Sequence, residues 1–240
     1  MDSTMDSRIV AVAGVGPGLG AALARRFAVS YPVALIARSQ QYLNTLSQEL
    51  LNNGYKGIPV AADITKPEEV SRAFDTIERE LGWVHTLIYN AGNAIFGSIR
   101  EVSAEDFEAN WRACAFGAFL CAKRVIQEML RHKSGVILFT GATAGVKAGP
   151  RSAAFGPAKF ALRGLAQSMA RDLGPLGIHV AHINIDGMID EPKVRARFGS
   201  VSEENLLKPE AIAETYWHLA HQDKSAWTME TELRPFTEKF

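Results

Sequence analysis

Arg8-Ile9-Val10-Ala11-Val12-Ala13-Gly14-Val15-Gly16-Pro17-Gly18-Leu19-Gly20 is the stretch on which the fold turns. After Arg8 the chain runs uncharged and apolar, rich in β-branched residues, the pattern of a strand buried on both faces. Glycines then break the run, and from Leu19 to Val29 the apolar residues recur at helical spacing. A strand, a tight turn and a helix open a β-α-β unit. A glycine turn in this place lets backbone approach a pyrophosphate closely, while the N–H groups and dipole at the helix start favour an anion. Dinucleotide binding by Gly14, Gly16, Pro17, Gly18, Leu19 and Gly20 is therefore expected, against the plainer reading of a turn that binds nothing.

The alternation continues outward from that unit. Apolar runs at Val33 to Ala37, Gly57 to Ala61, His85 to Tyr89, Gly135 to Thr140, Gly177 to Ile185 and near Thr228 to Leu233 read as strands. Between them, helical spacing occupies Gln40 to Asn53, Pro67 to Leu81, a long helix within Ala104 to Arg131, Ser152 to Leu173 and Pro209 to His221. Strands alternating with helices imply a doubly wound α/β fold with a parallel sheet and right-handed crossovers. One domain over residues 1–240 suits the length. Asp190 to Leu207 has no clear period and reads as either a lid or a surface loop.

Composition narrows the function classes. At 47% hydrophobic and 22% charged the chain is an ordinary globule, and 26 basic residues balance 26 acidic ones. No net field exists to collect nucleic acid or an anionic membrane, so neither is expected as a partner. The start is polar and no run of about 18 apolar residues occurs, so the chain reads as cytoplasmic. Cys114 and Cys121 are separated by roughly 10 Å of helix rise, too far for a disulfide.

Cofactor choice falls to the end of the second strand, where a carboxylate would select ribose hydroxyls and an arginine a 2′-phosphate. The sequence there is Ala34-Leu35-Ile36-Ala37-Arg38-Ser39, with no acid, which favours NADP(H); a solvated Arg38 is the alternative.

With these pieces in order, nearly the whole chain resembles the short-chain dehydrogenase/reductase family, which has a single Rossmann-like domain. The family's spaced glycines match Gly14, Gly18 and Gly20, its acid after the third strand matches Asp63 before Ile64, and its Asn-Asn-Ala-Gly appears as Tyr89-Asn90-Ala91-Gly92. The resemblance implies that Thr140, Lys159, Gly187 and Ile189 also face the cofactor. The catalytic positions depart from the family. Its Tyr-x-x-x-Lys reads Phe155-Gly156-Pro157-Ala158-Lys159, its serine falls on Ala142 beside Thr143, its helix asparagine on Cys114, and its Pro-Gly on Asp186-Gly187.

Hydride delivery to a carbonyl builds charge on oxygen, which a proton donor and an oxyanion donor would stabilise. Phenylalanine and alanine supply neither, while Lys159, which in the family binds the nicotinamide ribose, is kept. The catalytic set to examine is thus Lys159, Phe155, Ala142, Cys114, Thr143 and Asp186, with Tyr89 as a further replacement donor and Asp186 either an acid or a turn residue. Three readings stay open: an oxidoreductase reducing a small-molecule carbonyl, imine or activated alkene; an NADP(H)-binding pseudoenzyme acting as sensor or interaction protein; a non-redox lyase or isomerase. No metal is expected, since His218 and His221 lack further ligands and His179 and His182 lie on opposite faces of a strand. A hydrolase is set aside because Gly141 to Gly145 has no serine and no helix follows at once. The family's habit of associating through its two long helices implies a homodimer or homotetramer, for which Phe116, Phe119, Leu120 and Met129 would suit a surface or a core equally.

Overall fold

The computed structural model describes residues 8–239; residues 1–7, part of the polar start, and Phe240, the end of the aromatic C-terminal stretch, lie outside the described residues. In chain order come β1 (Ile9–Ala13), α1 (Leu19–Ala28), β2 (Val33–Ala37), α2 (Gln40–Asn52), β3 (Gly57–Ala61), α3 (Pro67–Glu80) and β4 (Val84–Tyr89). Then follow α4 (Ala104–Trp111), α5 (Gly117–His132), β5 (Gly135–Thr140), α6 (Phe155–Leu173), β6 (Ile178–Ile185), β7 (Met188–Ile189), α7 (Pro192–Phe198), β8 (Leu206–Leu207), α8 (Pro209–Ala220) and β9 (Glu230–Leu233).

Seven of the strands form one sheet in the order β3-β2-β1-β4-β5-β6-β9. Each neighbouring pair is parallel, with Ala13 opposite both Ile36 and Tyr89. The order reverses at β1, and the glycine turn leaves β1 at that reversal, where open α/β sheets place their ligands. Alternate side chains of the strands feed two cores. Ala11, Leu87, Ile137 and Val180 pack with Phe74, Val125 and Leu162 from α3, α5 and α6. Val10, Val12, Leu35 and Ile183 pack with Leu23, Leu46 and Tyr216 from α1, α2 and α8.

Local capping fixes several helix starts. Ser39 Oγ accepts the Tyr42 amide at 3.3 Å at the head of α2, and Ser103 Oγ accepts the Asp106 amide at 3.0 Å at the head of α4. By contrast α1 has no side-chain cap at Gly18, so its first turn opens directly from the glycines.

Three expectations change, and one open alternative is decided. The long helix is divided by a π-helical turn, Arg112–Phe116, in which Cys114 sits buried. Such a turn adds a residue to the helical repeat and re-aims the side chains after it. The helix expected from Ser152 begins at Phe155, because Ser152 is drawn into a bridge with Gly97. Asp190 to Leu207 is not structureless: it holds α7, a 3-10 turn at Glu203–Asn205 and β8, which pairs with β7. Met129 is wholly buried in the core and so is excluded from any association surface, whereas Phe119 is exposed. No helix of the described residues is long and apolar enough to cross a membrane.

Candidate active site

Gly14 adopts φ +97°, which glycine alone tolerates readily, and a Cβ there would overlap the backbone nitrogen of Ala91. Gly20 would likewise overlap Gly14 O, so both positions are closed to larger residues by backbone. The turn is held by amides of Gly14 and Val15 donating to Ile36 O at 2.9 and 3.1 Å. A Cβ at Gly16 would meet nothing within 4 Å, so the turn is open there, and Pro17 beside it is exposed. Leu19 turns into the core and contributes only backbone to the turn. A backbone cradle of this kind fits a pyrophosphate.

Arg38 and Ser39 are exposed at the end of β2. Asp63 follows β3 close enough to Arg38 to feel its charge; burial would raise its carboxyl, but bonds from Thr65 N (3.0 Å) and Oγ1 (2.7 Å), with Lys66 and Arg38, bring it below the usual range. The Ile64 side chain is buried in the core beneath the π-helical turn, leaving backbone as the part free to face a ligand.

Asn90 joins the glycine turn to the next strand. Its Nδ2 donates to Gly14 O at 3.0 Å, and its Oδ1 accepts from Thr140 Oγ1 at 3.1 Å. Thr140 Oγ1 is also 2.7 Å from the Tyr216 hydroxyl, so α8 braces the same network. Ala91 supplies the backbone on which Gly14 packs, and a Cβ on Gly92 would stand 3.6 Å from both Cys114 Sγ and Lys159 Nζ. Lys159 is buried and donates to Thr140 O at 2.8 Å. Burial holds its ammonium below the ordinary lysine range, with Cys114 opposing.

One turn before Lys159 on α6, the Phe155 ring lies 5.7 Å from Lys159 Nζ and 5.1 Å from the Phe96 ring. Ala142 is extended at the end of β5 and brings no polar group. Thr143 Oγ1 donates to Asp186 Oδ1 at 2.5 Å, and Arg234 pairs with Asp186 Oδ2 at 2.8 Å and also with Glu232. Asp186, just past β6 and before the bend at Gly187, is thus a buried carboxylate with one partner on each oxygen. Tyr89 is fully buried, and its hydroxyl donates to Ala113 O at 2.5 Å inside the core, so it is taken up by the π-helical turn rather than free as a donor. Gly187, at φ +147°, packs against Pro235, and Ile189 pairs with Leu207 in the short β7–β8 ladder.

The structure therefore brings Gly14, Asn90, Ala91, Gly92, Thr140, Cys114, Lys159 and Phe155 together. Arg38, Ser39 and Asp63 form a separate group at the ends of β2 and β3. Sequence reasoning missed Tyr216, Arg234 and Glu191. Each lies far along the chain from its partner, and no spacing pattern marks it.

A family model described as short chain dehydrogenase matches residues 8–197. The chain belongs to the short-chain dehydrogenase family. A short-chain dehydrogenase/reductase of Armillaria gallica is 32% identical over 182 residues, 74% of this chain and 70% of that protein. The crystal structure of a short-chain dehydrogenase from Rhodopseudomonas palustris is similar at 34% identity and a TM-score of 0.83, covering 96% of this chain and 99% of that one. An actinorhodin polyketide ketoreductase solved with NADPH shares the fold at a TM-score of 0.89 and 22% identity, with 98% of each chain covered.

Proposed function

We propose that this short-chain dehydrogenase is an NADP(H)-dependent oxidoreductase that reduces a small carbonyl, imine or activated alkene without the family's serine and tyrosine. The observation that carries the reading is the juxtaposition of a glycine cradle with a buried ammonium. Asn90 bonds Gly14 O on one side and, through Thr140, reaches the strand end whose carbonyl receives Lys159 Nζ. When bound, the dinucleotide would supply the hydride. Gly14 to Gly20 would hold its pyrophosphate, Arg38 and Ser39 its 2′-phosphate, Asp63 and Ile64 its adenine, and Asn90 to Gly92, Thr140, Lys159, Gly187 and Ile189 its nicotinamide half. The ketoreductase of the same fold, solved with NADPH, supports that choice.

In this reading Lys159 stabilises negative charge developing on a substrate oxygen, because a buried cation acts strongly in a dry site. Phe155 contributes shape rather than a proton. An imine already carrying its proton, or an alkene polarised elsewhere in the substrate, would need least from the missing phenol. Association through the exposed apolar residues Phe107, Trp111, Phe119 and Phe160 belongs to the same proposal.

Calorimetric titration with NADPH and NADH, in wild type and Arg38→Ala, tests the cofactor reading. NADPH is expected to bind more tightly in wild type and to lose about tenfold or more in the variant, as a phosphate loses its bidentate cation. Absence of binding by either dinucleotide refutes it. A second reading, an NADP(H)-binding protein without turnover, is favoured by the packing of Phe155 against Phe96 where the acid would stand. NADPH oxidation with a carbonyl, imine and enone panel separates the two. Turnover only in a Phe155→Tyr, Ala142→Ser double variant would select the second.

A further inference from the structure

Glu191 stands between β7 and α7 with extended backbone, at the N-cap position of α7, yet its side chain makes no capping bond. It lies on the glycine turn instead. A Cβ on Gly18 would overlap Glu191 Oε2 and stand 2.9 Å from Glu191 Cβ, so the carboxylate covers the start of α1. The side chain is half-buried there, and burial raises its carboxyl while Lys193 opposes.

The segment that carries it is fastened on both sides. Arg195 clasps Asp190 at 2.6 and 2.7 Å, and Asp190 N donates to Leu207 O at 2.8 Å. At the far end the Arg197 guanidinium lies 5.7 Å from the Phe96 ring, itself packed on Phe155. Residues 190–198 thus run as a strap from the glycine turn to the aromatic pair.

We propose that Glu191 is an internal anion occupying the phosphate cradle of the free protein, and that a dinucleotide must displace it, so that this carboxylate sets and weakens cofactor affinity. The proposal rests on the dinucleotide reading above. Its physical basis is that the start of α1 favours one anion, and a carboxylate and a pyrophosphate sharing it would repel at short range in a partly dry site. The effect falls on the pyrophosphate, which NADPH and NADH share, whereas Arg38 would act on the 2′-phosphate alone.

The test is calorimetric titration of wild type, Glu191→Gln and Glu191→Ala with NADPH and with NADH, together with hydrogen exchange of each free protein. Both variants are expected to bind both dinucleotides about tenfold or more tightly than wild type, since close like charges at an interface are costly. Exchange across residues 192–198 should be faster in free Glu191→Ala, where the strap has lost its hold on the turn. Unchanged or weaker affinity in Glu191→Gln overturns the proposal and leaves the cofactor reading standing. A gain confined to NADPH overturns it as well, and binding by none of the three proteins overturns both.

Discussion

Acidifying the protein from pH 8 to pH 5 should destabilise it through His182, and the cost can be worked from its surroundings. The ring is fully buried on β6, against Gly141, and neither ring nitrogen has a hydrogen-bond partner among the described residues. Burial pushes its pKa down from 6.5 to about 4; Glu230 opposes this, and Lys159 and Arg163 reinforce it. Above pH 6.5 the imidazole is neutral in both folded and unfolded chains, and no penalty arises. Between 6.5 and about 4 the unfolded chain binds the proton and the folded one does not, so stability falls as pH falls. Each pH unit costs at most about 1.4 kcal/mol, which gives about 2 kcal/mol lost by pH 5 and on the order of 3 by pH 4. His179, also held down by burial, acts in the same direction, so the comparison must isolate one ring. Guanidinium unfolding of wild type and His182→Leu at pH 8, 6 and 5 does this. The wild type should lose about 2 kcal/mol more than the variant between pH 8 and 5. Parallel losses within about 0.5 kcal/mol, or an NMR titration placing His182 above pH 6, would refute the reasoning.

Two further outcomes follow from packing. Gly14→Ala meets a positive φ and the Ala91 backbone together, so it should cost at least about 2 kcal/mol and lower the thermal midpoint by about 5 °C; an unchanged midpoint would contradict the described turn. Burial pushes the Cys121 thiol up to about 12, so iodoacetamide at pH 8 should leave it unmodified in the native protein and alkylate it only in denaturant, as peptide mass spectrometry would read.

Much of the fold was legible because each local signal served one global arrangement. Strands buried on both faces read as apolar runs, and six of the seven in the main sheet lie within a residue of their expected bounds. The glycine turn was legible for a stricter reason: Gly14 and Gly20 stand where backbone passes against backbone, and only hydrogen fits. The π-helical turn at Arg112–Phe116 left no such trace, since its extra residue interrupts a helix without altering the residue types that helices use. The strap was missed for a related reason. α7 is seven residues long, too short to declare a period.

The candidate site divides along the same line. Sequence by itself determined the strand-turn-helix beginning, the alternation that makes the sheet parallel, the arginine after β2, and the apolar residues Phe155 and Ala142 near Lys159 and Thr143. These are properties of residue type and spacing, which need no partner to be read. Only the tertiary structure decided what the polar groups do. It closed Asp186 between Thr143 and Arg234, turned Tyr89 into the core, set Lys159 beside Cys114, braced Thr140 with Tyr216, and laid Glu191 on Gly18. Each depends on a contact between residues distant in sequence, and a hydrogen bond or ion pair acts over a few ångströms whatever length of chain lies between its ends.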